Sequence, residues 1–344
     1  MKNLVTDANF PRTEDGRVYH LGIRSGEVAN RVVTVGSPSR AEAIAGMLDD
    51  EQPYKILSER GFLTITGRYK GIPVSIVSIG MGYPNMDFFV REARECISGD
   101  MVIIRLGSCG GVVGLPVGSL VVPNASVSVN RNVDYDFGVG SENKEPAYRI
   151  SKPARLLFHS ELHAALSETL TNSSPQHFEA DVRSDTVNAS ADRLTSFPDC
   201  NENLIDELLA AVPNLASLEM ETFHLFHLAS VWRTRTSSPS SPSPALSPSM
   251  PPTTLPVTPT LSQNSSRHTP PLLTDANQAP RSGRIRAAAV QMIFASRTSQ
   301  DFITPEHVAE LEAWSGRSVL ETLCNFPIPF ELLHDEEQSV WSKS

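Results

Sequence analysis

"IIRLGSCGGVVGLPVGSLVVPNA", Ile103 to Ala125, holds two apolar, β-branched runs joined by glycines, with one arginine, Arg105, inside the first run. Met101 to Leu106 and Ser119 to Val129 read as strands, because short β-branched runs bounded by Gly or Pro favour extended backbone. The Gly107-Ser108-Cys109-Gly110-Gly111 segment between them reads as a turn. An unpaired buried guanidinium is very unfavourable, so a protein carboxylate or an anionic ligand must meet Arg105. On this stretch alone, a structural ion pair and a binding site are equally good readings.

Working outward, Arg31 to Val35, Phe62 to Tyr69, Pro73 to Ile79 and Ile285 to Phe294 also read as strands. Between them lie helical patterns. SRAEAIAGMLDD (39–50) opens on Ser39 as a candidate N-cap, and TPEHVAELEAWSGRSVLETLCNF (304–326) opens on Thr304 with Pro305 at the first helical position. NMDFFVREARECI, PARLLFHSELHAALSETL, ENLIDELLAAV and TFHLFHLASVW repeat apolar residues at spacings of three and four. Strands alternating with helices predict an α/β fold, a three-layer α/β/α arrangement with a central mixed β-sheet flanked by helices. Ligands of such sheets bind beyond the carboxyl ends of strands, where Arg105 falls.

The stretch from Thr234 to Gly283 differs in kind: it holds eleven of the chain's 26 prolines amid serine and threonine, so it cannot bury a core. Strand and helix patterns resume after it, which predicts a disordered insertion into one domain spanning 18–326, with tails 1–17 and 327–344. A phosphorylated regulatory loop and an unconstrained surface insertion are both open readings.

A net charge of −10 argues against a nucleic-acid or anionic-membrane partner. No run approaches the ~18 apolar residues of a membrane span, and the N-terminus lacks a basic-then-apolar leader, so a cytoplasmic protein is expected. Four dispersed cysteines without a CxxC pair suggest reduced thiols and no zinc site.

Four segments could carry chemistry. In VGSPSR (35–40) a strand ends at Gly36 and a helix opens with Arg40, a turn whose backbone N–H groups suit an anion, or a plain strand-to-helix connection. RLGSCGG adds Arg105 and the Ser108 hydroxyl. In SLEMETF, Glu219 and Glu221 flank Met220 at a strand-to-helix junction, where carboxylates either complement a helix dipole or accept sugar hydroxyls. Finally, the strand ending at Phe294 delivers Arg297 to the same edge, as a site residue or a surface arginine.

The order YHLGI, VGSPSR, RLGSCGG, LEMET and SRT resembles the nucleoside phosphorylase superfamily and, within it, the uridine phosphorylases. The resemblance runs from about His20 to Phe326, apart from the insertion. It implies a phosphate held by Gly36, Arg40, Arg60, Arg105 and Ser108. Ribose would be held by Met220 and Glu221, with its 5′-hydroxyl met by His20 of a neighbouring subunit. The base would lie against Val187, Arg193, Phe294 and Arg297. Arg105, Glu221 and Arg297 are the implied catalytic residues, in a homodimer or higher homo-oligomer with shared sites.

The implied reaction is phosphorolysis: phosphate attacks C1′ of an oxocarbenium-like ribose as the base departs, with phosphate as co-substrate and no cofactor. An arginine at 297, where purine enzymes of the superfamily carry an aspartate, suits a pyrimidine leaving group whose charge spreads onto carbonyl oxygens. Three departures widen the reading. Val187 and Ala191 replace a stacking phenylalanine and a base-reading glutamine of the family pattern, and Gly61 stands where bacterial relatives have a glutamate tied to potassium, so no metal site is expected. A broader or purine phosphorylase or nucleosidase, and a non-catalytic nucleoside-binding homologue, are the alternatives.

Overall fold

Residues 5–138, 145–155, 160–175, 181–191, 199–232 and 283–342 are described by a computed structural model of the chain. A short hairpin pairs β1 (Val5–Thr6) with β2 (Arg12–Thr13). The main sheet, among the described residues, has eleven strands: β3 (Arg31–Val35), β4 (Tyr54–Leu57), β5 (Leu63–Tyr69), β6 (Ile72–Ser78), β7 (Met101–Gly111), β8 (Leu120–Arg131), β9 (Tyr148–Ile150), β10 (Ala154–Arg155), β11 (Val182–Ala191), β12 (Leu215–Glu219) and β13 (Ile285–Ser296). The helices are α1 (Pro38–Ala45), α2 (Tyr83–Cys96), α3 (Ser160–Asn172), α4 (Leu204–Ala211), α5 (Thr222–Val231) and α6 (Pro305–Asn325).

The mixed sheet runs β10-β8-β11-β12-β7-β3-β6-β5-β4, with β13 pairing both β7 and β8. β7 is parallel to β3 and β13 but antiparallel to β12. Because β12 also pairs β11, and β11 pairs β8, the strands β7, β13, β8, β11 and β12 close into a ring. The expected central mixed sheet flanked by helices is therefore present, with this closure added to it.

Alternation along β7 sorts the core into its layers. Val102, Ile104 and Leu106 join one buried cluster with residues of α1, α3 and α6, while Met101 and Ile103 join a second with α2 and α5. Each fully buried Ile or Phe contributes roughly 1.5–3 kcal/mol through the apolar surface it removes from water. Phe89 of α2 lies wholly inside the second cluster, and truncating it to alanine would cost about 3–5 kcal/mol. By the same parity, Arg105 points to the α5 side.

The structure revises several local expectations. RLGSCGG is no turn: β7 continues through it to Gly111, with Gly107 packed against the buried Gln291 side chain of β13, and the pairing of the two strands persists past a register shift between Ile293 and Ala295. Arg105 is accordingly mid-strand. Ser37, not Ser39, caps α1, its Oγ accepting from the Arg40 N–H at 3.3 Å. Thr304 caps α6 as expected. Of the helix expected from Pro153, Ala154 and Arg155 instead form β10, and the described helix runs Ser160–Asn172. β11 was not foreseen as a strand, since VRSDTVNASA is rich in small polar residues. The insertion expected over 234–283 lies outside the described residues except for Gly283. All four cysteines are free thiols, and no described helix is long and apolar enough to cross a membrane.

Candidate active site

The site forms where β7, β11 and β12 meet the N-terminus of α5. Arg105 Nη2 donates to Glu221 Oε2 at 2.5 Å, and its Nε stands 3.7 Å from Glu219 Oε2. All three side chains are buried to within a few percent of full burial. Nε and Nη1 of Arg105 make no hydrogen bond among the described residues, so half of the guanidinium fork still has donors to offer.

Glu219 is the more fully satisfied carboxylate. It accepts from Ser190 Oγ at 2.5 Å, from Asn188 Nδ2 at 2.6 Å, and from the backbone N–H groups of Glu221 and Thr222 at 2.8–3.1 Å. It thereby caps the first turn of α5, whose N–H groups have no partners within the helix. Burial pushes its carboxyl up, but the Arg105 charge and the Ser190 hydroxyl overcome this and hold it below the usual glutamate range. Glu221 goes the other way. Burial raises its carboxyl and the neighbouring Glu219 charge adds to this, outweighing Arg105 and the N–H donated by Gly82 at 2.6 Å.

The other residues picked out by sequence divide into groups. Gly36 and Arg40 lie at the carboxyl end of β3, beside β7: Arg40 Nη1 reaches the Leu106 carbonyl at 3.5 Å, and its Nε donates to Glu312 of α6 at 2.7 Å. Phe294 sits under this arginine, ring centroid 5.7 Å from Cζ. The half-buried Ser108 follows on β7. Arg297 is anchored at the same edge by its N–H donating to the Gly111 carbonyl at 3.0 Å.

Met220 lines a small cleft with Ser190, Tyr83 and His224. Tyr83 and His224 are stacked at 4.7 Å, and burial pushes the His224 ring below the usual histidine range.

His20 and Arg60 form a separate group: the Arg60 guanidinium bonds the Tyr19 hydroxyl and lies over its ring, and Tyr19 meets His20 edge-on. Val187 does not join the cleft. It is packed among Ala125, Val127, Leu208 and Leu215, because β11 continues three residues past it before Ser190 reaches the site. Arg193 lies outside the described residues. Sequence reasoning missed Ser190, Asn188 and Gly82, all partners of the glutamates; only the alternation of NASA within β11 could have signalled the first two.

The model of the phosphorylase superfamily matches residues 30–235. The chain belongs to the phosphorylase superfamily, a family of enzymes. This phosphorylase is 30% identical over 234 residues to a uridine phosphorylase of Thermococcus kodakarensis, covering 66% of this chain and 77% of the relative. It is 34% identical over 150 residues to a DeoD-type purine nucleoside phosphorylase of Colwellia psychrerythraea, covering 40% of this chain and 63% of that one. Among solved structures, a uridine phosphorylase of the oomycete Phytophthora capsici aligns at a TM-score of 0.74 and 34% identity, over 94% of this chain and 100% of that chain. A nucleoside phosphorylase of Trypanosoma brucei, at 17% identity and a TM-score of 0.64 over 92% and 100%, shares the fold.

Proposed function

We propose that this phosphorylase cleaves pyrimidine nucleosides, uridine first, with inorganic phosphate. The carrying observation is the buried Arg105–Glu221 contact with the remaining Arg105 donors open. In the proposed complex Glu221 accepts the ribose hydroxyls, with the Met220 backbone beside them, and Arg105 turns its open N–H groups to the phosphate. Arg40, Gly36 and Ser108 complete the anion pocket from the neighbouring strand ends. The phosphate oxygen bonds to C1′ as the C1′–N bond breaks, and the electron pair leaves with the base, which then takes a proton.

Fixed donors around the dianion supply positioning in advance, and a cation near the departing base stabilises charge that grows only as the bond breaks. Arg297 and Phe294 take the base side, with Arg193 assigned there by the resemblance. No cofactor enters this scheme.

Among the described residues no hydrogen bond, ion pair or ring contact joins His20 or Arg60 to Arg105 or Glu221, which favours a site completed by a second copy. The His20 ring stacks on Phe88, about 9 Å of helix from Gly82, whereas Glu221 takes the Gly82 N–H itself. In a homodimer, His20 and Arg60 of one copy would serve the sugar and phosphate of the other. Cytoplasmic nucleoside salvage is the setting this chemistry suits.

The test is uracil release from uridine with and without phosphate, beside inosine and adenosine. Cleavage of the purine nucleosides alone would overturn the pyrimidine reading. A broader base range is a second reading, favoured by the identity to purine nucleoside phosphorylases over part of their length.

A further inference from the structure

The YHLGI segment is held by a carboxylate that the proposed reaction does not use. Val18 N–H donates to the Ile23 carbonyl and Gly22 N–H to the Val18 carbonyl, a tight turn that Gly22 permits through its φ of 67°. This turn aims two backbone N–H donors and the His20 Nδ1 at Glu92 of α2. The backbone N–H of His20 lies 3.0–3.1 Å from its two oxygens, that of Leu21 2.8 Å from Oε2, and His20 Nδ1 2.6 Å from Oε1. Glu92 is only 6% exposed. Phe88, one helical turn earlier on the same face, stacks on the imidazole at 3.8 Å with 14° between the planes.

We infer that Glu92 is a positioning residue that fixes His20 as the Nδ1–H tautomer and points Nε2 outward as a hydrogen-bond acceptor. The inference rests on the reading of His20 as the contact for the nucleoside 5′-hydroxyl, and adds the reason this histidine can do it. A contact of 2.6 Å between Nδ1 and Oε1 requires a proton between them, and because Glu92 already accepts the backbone N–H groups of His20 and Leu21 on its two oxygens, the ionised carboxylate is the acceptor and the proton belongs to Nδ1. In a neutral ring the proton on Nδ1 leaves a lone pair on Nε2. No described protein group bonds Nε2, and the side chain is 26% exposed. A primary hydroxyl can donate to that nitrogen; an ether, a hydrogen or a methyl at the same position cannot. The Phe88 stack removes the ring's remaining freedom, so the acceptor is set before the ligand arrives, which is how a positioning shell sharpens a contact.

Two measurements on the full-length protein decide this. Long-range ¹⁵N–¹H NMR of the wild type, with His20 assigned by comparison with His20→Ala, reads the tautomer directly. The Nδ1–H form is expected, and an Nε2–H form would overturn the inference. In kinetics, kcat/KM for uridine is compared with that for 5′-deoxyuridine. Glu92→Gln leaves one carbonyl for three donors and sets an NH2 against an N–H, so it should erode the preference for uridine about five- to tenfold. His20→Ala should do the same, and the double variant should lose no more than His20→Ala alone. An undiminished preference in a folded Glu92→Gln would overturn the role. Should the wild type cleave no nucleoside, the functional reading falls, while the tautomer still decides whether Glu92 sets the ring.

Discussion

Arg105 and Glu221 are joined at 2.5 Å in a buried setting, with Glu219 behind them, so one cation faces two carboxylates. Removing one partner of a buried pair leaves an uncompensated charge, costing about 3–5 kcal/mol. Arg105→Ala should therefore abolish phosphorolysis and also lower the melting temperature, since it strands two carboxylates. Arg105→Lys keeps the charge but loses the fork, so it should melt nearer the wild type while kcat/KM for phosphate falls by at least tenfold. Wild-type kinetics in Arg105→Lys would show that the second arm of the fork carries no phosphate.

The two glutamates titrate in opposite senses, which makes a pH prediction with a definite sign. The Glu221 carboxyl is raised, because burial, with the Glu219 charge added to it, outweighs Arg105. Its ionised form, the one proposed to accept sugar hydroxyls, is thus lost at a higher pH than for an ordinary glutamate. Nucleoside affinity, measured calorimetrically without phosphate because phosphate itself titrates, should weaken on acidification before free glutamate would protonate. Glu219→Gln removes the like charge and should move that limb to lower pH; an unmoved limb would sink the assignment. For stability the sense reverses at Glu219. Its lowered carboxyl stabilises the fold above the ordinary glutamate range, and that contribution is lost as pH falls through the lowered value.

Gly107 offers a packing test that reaches the site indirectly. A Cβ built there would lie 2.2 Å from Gln291 Oε1, and Gln291 Nε2 in turn donates to Thr222 Oγ1 at 2.7 Å, next to Glu221. Gly107→Ala should destabilise by about 1–3 kcal/mol through overpacking and reduce activity by displacing the start of α5. Pairing it with Gln291→Ala should recover part of the melting temperature. No recovery would place the strain elsewhere along β7.

Much of this was legible from residue types. The strand Arg31–Val35 and the cap at Thr304 have the bounds that pattern and capping chemistry predict, and the glutamates of SLEMETF stand where strand gives way to helix. What could not be read was long-range. Arg105 resembles a strand-end anion ligand in one dimension, and only the closure of β12 onto Gly110 and Gly111 brings Glu219 beside it. VRSDTVNASA reads as a loop from its small polar residues. Its Asn188 and Ser190 are tolerated in a buried strand because both donate to Glu219. Val187 shows the same limit in reverse: a motif match assigned it to the base, and the pleat of β11 packs it in the core.

Glu312 gives the last prediction, through an arginine it holds but does not replace. Arg40 is 7% exposed, its Nε donates to Glu312 Oε1 at 2.7 Å, and Phe294 supports the guanidinium from below. Fixing Nε in this way holds Nη1 at the Leu106 carbonyl of β7, beside the proposed phosphate. Glu312→Gln keeps an acceptor and the shape, so it should alter KM for phosphate less than twofold. Glu312→Ala frees a long side chain to sample other rotamers, and re-ordering it on binding should raise KM for phosphate about threefold to tenfold, from the ~0.5–1.5 kcal/mol needed to immobilise such a side chain. KM for the nucleoside should stay near the wild type, because Glu221 and Met220 are held by other elements. A rise in nucleoside KM with phosphate KM unchanged would show that Arg40 faces the sugar, not the anion.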